Sequence, residues 1–83
     1  MNKILVEIYL AANNKTYELY IPLDLKISEV RQLVCILMTN LSDGHFIATD
    51  SSVLCDSATG EIYDVNMYVD ELNLKNGSRL MLI

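Results

Sequence analysis

DLKISEVRQLVCILMTNLSDG, residues 24–44, is the stretch that decides the fold. Within it Ile27, Val30, Val34, Leu37 and Leu41 recur at steps of three and four, with Met38 beside them. That spacing is one apolar stripe along an amphipathic helix about four turns long. Ser28 is the better cap by residue type, whereas Ile27 already fits the stripe, so the start falls at one or the other. The run Asn40 to Gly44 ends the helix.

On the N-terminal side the period changes from 3.6 to two. From Lys3 to Leu10, the side chains of Ile4, Val6, Ile8 and Leu10 share one face, and those of Lys3, Leu5, Glu7 and Tyr9 share the other. Ala12-Asn13-Asn14-Lys15 supplies turn residues, and Thr16 to Leu23 resumes the alternation, so the two strands form a hairpin. Pro22 removes a backbone donor near its end. On the C-terminal side the elements are shorter. His45 to Ala48 reads as extended, Val53 to Asp56 as a strand and Glu61 to Asp64 as another, joined by the turn Ser57-Ala58-Thr59-Gly60. Tyr68 to Leu72 is a helical turn, Lys75-Asn76-Gly77 a tight turn, and Arg79 to Ile83 a closing strand. One helix with its stripe against one sheet face gives an α+β fold, a mixed sheet packed on a single α-helix with the last strand parallel to the first. This order is that of the β-grasp, and the expected organisation is one domain over residues 1–83.

The whole chain narrows the function. Its 83 residues are 52% apolar, too apolar for a disordered tail, and a domain this short buries only about 60% of its unfolded surface. Eleven acidic against six scattered basic side chains give a charge of −5, which opposes nucleic acid and anionic membrane surfaces alike. The carboxylates between Asp56 and Glu71 read as a solvated face rather than a site for a basic partner. Glu7 interrupts the apolar N-terminus before a signal-like core forms, and no run approaches the roughly 20 residues that span a bilayer, so a cytoplasmic protein without membrane insertion is expected. Cys35, Cys55 and His45 have no zinc spacing, and the two cysteines read as core thiols. No metal, cofactor or catalytic residue is expected. His45 lacks a partner nucleophile, neither cysteine has a basic neighbour in sequence, Asp43-Gly44 lacks calcium-loop spacing, and there is no Gly-rich phosphate cradle.

The segments Lys15 to Arg31 (KTYELYIPLDLKISEVR) and Tyr68 to Ile83 (YVDELNLKNGSRLMLI) resemble the second strand with helix start, and the closing turn and strand, of ubiquitin. Ubiquitin and the sulfur carriers have a flexible tail ending in two glycines, which adenylation requires. Here Ile83 ends the predicted last strand, which disfavours a modifier or sulfur carrier. Among ubiquitin-like proteins without the tail, the chain resembles the EsaB/YukD family, through its length, the step Gly44-His45-Phe46-Ile47 and the run Leu74 to Leu80 (LKNGSRL). The segment Thr49 to Asp64 is longer and more polar than the family pattern. The resemblance implies a non-catalytic, cytosolic accessory or regulatory component of a bacterial type VII (WXG100) secretion system. Its partners would be proteins, the cytosolic parts of the membrane components among them. A ubiquitin-like domain at the N-terminus of a larger membrane protein is the further alternative.

A protein-binding surface is then expected on the sheet. Leu5 and Tyr9 on the first strand and Met81 and Ile83 on the last point away from the helix, with Leu54 beside them, as a recognition patch. Ordinary apolar surface, or cover by the Thr49 to Asp64 segment, is the competing reading. Tyr9, Tyr20, Tyr63 and Tyr68 could serve as aromatic anchors for a partner, although strand propensity is the favoured explanation for them. On the helix Ile36 falls almost opposite the core stripe, near Glu29, Gln32 and Thr39, and is assigned to a second contact or to self-association.

Overall fold

The computed structural model describes residues 2–44, 46–49 and 51–83. Strand β1 (Lys3–Leu10) carries the alternation read above: Ile4, Val6, Ile8 and Leu10 are buried and the residues between Leu5 and Tyr9 on the other face are half-buried. β2 (Lys15–Pro22) returns antiparallel, with Lys3 opposite Pro22 and Leu10 opposite Lys15. The return is made possible by Asn14, whose φ of 56° lies in the left-handed region that Asn tolerates. The strand begins one residue earlier than expected, and Leu23 leaves it but still donates its N–H to the Asn2 carbonyl at 2.9 Å. β2 is an outer edge, where Pro22 costs no central ladder bond.

Helix α1 spans Ile27–Leu41. It starts at Ile27 with Lys26 as the cap, so Ser28 is not the cap. The reason lies across the chain: Ile27 N–H donates to the Met67 carbonyl at 2.8 Å and Ser28 N–H to the Val65 carbonyl at 3.0 Å. The Glu29 carboxylate accepts the Lys26 N–H at 3.1 Å. The first two helical donors are thus met by a loop, and the cap residue's own N–H by Glu29. Tyr68 repeats the device, donating its N–H to the Glu71 carboxylate at 2.9 Å as the 3-10 turn Val69–Leu72 begins.

The helix buries Ile27, Val30, Val34, Cys35 and Met38. Leu37 and Leu41, assigned to the same stripe from the sequence, are instead 42% and 51% exposed. At about 100° per residue Val34 and Met38 fall on one side and Cys35 close by, while Leu37 is carried about 100° from Met38 toward solvent.

β3 (Leu54–Asp56) and β4 (Ser78–Leu82) complete a sheet of order β2-β1-β4-β3. β4 runs parallel to β1, and β3 antiparallel to β4. The mixed four-stranded sheet on one helix is the ubiquitin-like β-grasp. The strand expected over Glu61 to Asp64 is reduced to one bridge, Cys55 opposite Ile62. Asp56 explains the turn before it, because its carboxylate accepts the N–H groups of Ala58 and Thr59 at 2.7 and 3.2 Å. Asp64 turns the chain away on the other side by accepting the Asn66 N–H at 2.9 Å. Residues 46–49 form no strand, and His45 lies outside the described residues. Phe46 is nevertheless in the core, its N–H held by the Ser42 hydroxyl at 2.9 Å.

Candidate functional site

Strand pairing sets which residues lie side by side on the sheet face turned away from α1. Directly opposed residues share a face, so the face can be assembled row by row. In one row Leu5 faces Tyr20. In the next, Glu7 faces Glu18 on one side and Arg79 on the other. In the third, Tyr9 lies between Thr16 and Met81, Met81 faces Cys55, and Cys55 faces Ile62. At the end of the sheet Ile83 and Val53 exchange both backbone hydrogen bonds, at 2.9 and 3.1 Å, which places them in a fourth row.

The structure therefore brings Tyr9, Met81 and Ile83 together and adds Ile62 and Val53 to them. Leu5 is separated from this group by the charged row. Glu7 and Arg79 approach to 3.9 Å there, in an exposed pair of little energetic weight. Leu54 is a correction: it faces Leu82, both lie in the core, and its 2% exposure removes it from the patch. A strand of period two can present Leu54 or Cys55 outward but not both, and Cys55 takes the outer position. Cys55 is fully buried even so. Ile36 is where the sequence placed it, 62% exposed on α1 and far around the helix from the core stripe.

A shallow depression of about 170 Å³ lies where the charged and apolar rows meet, lined by Glu7, Tyr9, Thr16, Ser57, Arg79 and Leu80. The Tyr9 hydroxyl donates to the Asn14 side-chain oxygen at 2.5 Å, which fixes the ring at its rim. Tyr20, at the far edge, is exposed, with the Lys3 ammonium 5.1 Å from its ring centroid. Tyr68 is partly exposed, and Tyr63 packs on the core.

The electrostatics oppose nucleophilic chemistry. Burial pushes the Cys35 thiol up against the weaker lowering pull of the Arg31 charge, and burial with the Asp56 charge pushes Cys55 up. Both sulfurs hold their protons at neutral pH, the opposite of an activated thiolate. Burial, then Asp56, Cys55 and Glu61, push Tyr63 up to about 12. Among the described residues no group of three His, Cys, Asp or Glu is placed to hold a metal ion, and no helix is long and apolar enough to cross a membrane.

Two features escaped the sequence. Arg31 sends its guanidinium from α1 to the carbonyls of Ser52 and Thr49, the latter at 2.7 Å, and so ties down the start of the Thr49 to Asp64 segment. An Arg four residues beyond the helix start gives no signal for that. Ile62 did give one, in the apolar-polar alternation of Glu61 to Asp64, but only the bridge to Cys55 aims it at the patch.

No protein-family model matches the chain, and no curated protein matches it in sequence. Solved structures do match. The ubiquitin-like domain of the Mycobacterium tuberculosis type VII secretion system protein EccD1 superimposes with a TM-score of 0.79 at 13% identity, over 100% of this chain and 99% of that one. Caldiarchaeum subterraneum ubiquitin gives 0.76 at 18% identity, over 99% and 92%. A chain of the toluene 4-monooxygenase HD complex gives 0.77 at 12% identity, over 98% and 96%. These likenesses establish the ubiquitin-like fold.

Proposed function

We propose that this chain is a non-catalytic ubiquitin-like interaction module, a cytosolic accessory or regulatory component of a bacterial type VII (WXG100) secretion system of the EsaB/YukD kind. The observation that carries the reading is the apolar group Tyr9, Met81, Ile62 and Ile83, which strand pairing brings together beyond the charged row of the sheet face. Apolar side chains held side by side by strand pairing and bordered along one edge by the row Glu7, Glu18 and Arg79 have the make-up of a docking patch: an apolar centre for affinity and a charged border for orientation. Protonated, buried thiols and a shallow depression favour binding over catalysis. The end-to-end match with a type VII ubiquitin-like domain supports the choice of system.

The partner in this reading is the cytosolic part of a type VII membrane component, and calorimetric titration of that part tests it. Met81→Asp, which puts a charge at the centre of the patch, is expected to weaken binding by at least about tenfold, while Leu5→Asp, beyond the charged row, stays within about threefold. Equal binding by wild type and Met81→Asp would refute the docking face. That the matching EccD1 structure is a domain of its protein gives a second reading, in which the same face works inside a longer polypeptide. The length of the native reading frame decides between them.

A further inference from the structure

α1 carries a second apolar stripe that the core does not use. Leu33, Ile36, Leu37 and Leu41 are 48%, 62%, 42% and 51% exposed, and they lie three, four and eight residues from Leu33, along one side of the helix. The core is complete without them. They expose on the order of 350 Å², a size at which an apolar patch on a monomer is commonly functional.

We propose that this stripe is a self-association face, packed antiparallel against the same stripe of a second copy about a two-fold axis through Leu37. Three observations select a second copy as the occupant. The first is charge. The chain carries −5, so two copies repel wherever their charged surfaces meet, yet the ten residues Gln32 to Leu41 carry no charged side chain. Arg31, the last charge on the helix before them, is held by the carbonyls of Ser52 and Thr49. The exposed Glu29, one turn before Leu33 on the same side of the helix, opposes an anionic membrane, and its carboxylate is already engaged within its own chain by the Lys26 N–H at 3.1 Å. The second observation is its border. Gln32 and Asn40 end in amides, each both donor and acceptor, so an identical copy can satisfy them.

The third is length. Leu33 and Leu41 lie eight residues apart, about 12 Å along the axis, with Leu37 midway. Antiparallel packing about Leu37 sets Leu33 of one copy against the second copy's Leu41 and Leu37 against its own equivalent, which is the self-matching arrangement a two-fold interface needs. Two such stripes bury about 700 Å², and the Gln32 and Asn40 border brings the total toward the roughly 1,000 Å² of the smallest specific interfaces. The dimer is therefore weak and concentration-dependent. It leaves the sheet face free, so the inference goes beyond the proposed docking function and does not depend on it.

Sedimentation equilibrium of the whole chain, with amide NMR spectra across the same concentrations, tests this. The mass is expected to rise from one chain toward two as concentration approaches about 1 mM, with concentration-dependent shifts confined to residues 33–41 and their neighbours. Leu37→Asp is expected to weaken association at least about tenfold, Ile36→Lys to weaken it also, and Met81→Asp to leave it unchanged. Circular dichroism melts confirm that each variant is folded. A mass fixed at one chain throughout, association that survives Leu37→Asp, or shifts centred on Tyr9 and Met81 would overturn the proposal. A monomer that instead binds a partner through residues 33–41 would assign the face to another occupant and overturn it equally.

Discussion

The two outer faces of the molecule differ in how charge interrupts them. On the sheet, residues alternate and rows are set by pairing, so Glu7, Glu18 and Arg79 line up across three strands and divide Leu5 and Tyr20 from Tyr9 and Met81. On the helix no such line exists from Gln32 onward, and the apolar stripe runs unbroken to Leu41. A sheet thus restricts an apolar patch to whatever a few registers bring together, whereas a helix needs only the right spacing. The first face suits a bounded docking site with a charged rim, the second an uncharged contact with its own kind.

The contrast breaks most visibly within α1 itself. Met38→Ala is expected to destabilise the fold by about 2–5 kcal/mol, because it empties a fully buried volume, while Leu37→Ala one residue away should stay within about 0.5 kcal/mol. Urea denaturation measures both. Comparable losses would mean that Leu37 is in the core after all. Arg31→Ala comes next. It strips the carbonyls of Ser52 and Thr49 of their donors, with an expected loss of about 1–3 kcal/mol and faster hydrogen exchange around residues 51–53. Unaltered exchange there would show that the clasp holds nothing.

Smaller effects sharpen the local readings. Glu29→Ala removes the acceptor for the Lys26 N–H and should cost about 0.5–1 kcal/mol, whereas Ser28→Ala should cost less than about 0.5. A larger penalty at Ser28 would restore it as the cap. Tyr63, raised to about 12, binds its proton more tightly folded than unfolded. Its contribution to stability is therefore full below about 10, the ordinary tyrosine value, and is lost as pH rises through about 12. An absorbance titration is expected to find this late tyrosinate, and Asp56→Asn should bring it down part of the way, burial being the larger cause.

Much of this architecture was legible in the sequence because two periods are hard to counterfeit. The alternation from Ile4 to Leu10 marked the central strand, and Ile27, Val30 and Val34 marked the helix face. What misled was local preference overruled at a distance. Ser28 looks like a cap, but Met67 and Val65 bring carbonyls to the first turn from a distant part of the chain. Leu37 looks like core because it is leucine at a plausible step, yet only the position of the sheet decides which side of a largely apolar helix is buried. Leu54 and Cys55 were ambiguous by type, and their pairing with β4 settled which one faces outward. The sheet patch was half legible: Tyr9, Met81 and Ile83 followed from alternation, but the row that isolates Leu5 and the bridge that recruits Ile62 exist only once strands from distant parts of the chain lie side by side.

Mapping amide resonances while the cytosolic part of a type VII membrane component is added tests the assignment of docking to the sheet most directly. The largest shifts are expected at Tyr9, Ile62, Met81 and Ile83, with Leu33 to Leu41 and the Leu5–Tyr20 edge nearly still. Shifts centred on the helix stripe or on Leu5 and Tyr20, or none at saturating partner, would contradict it.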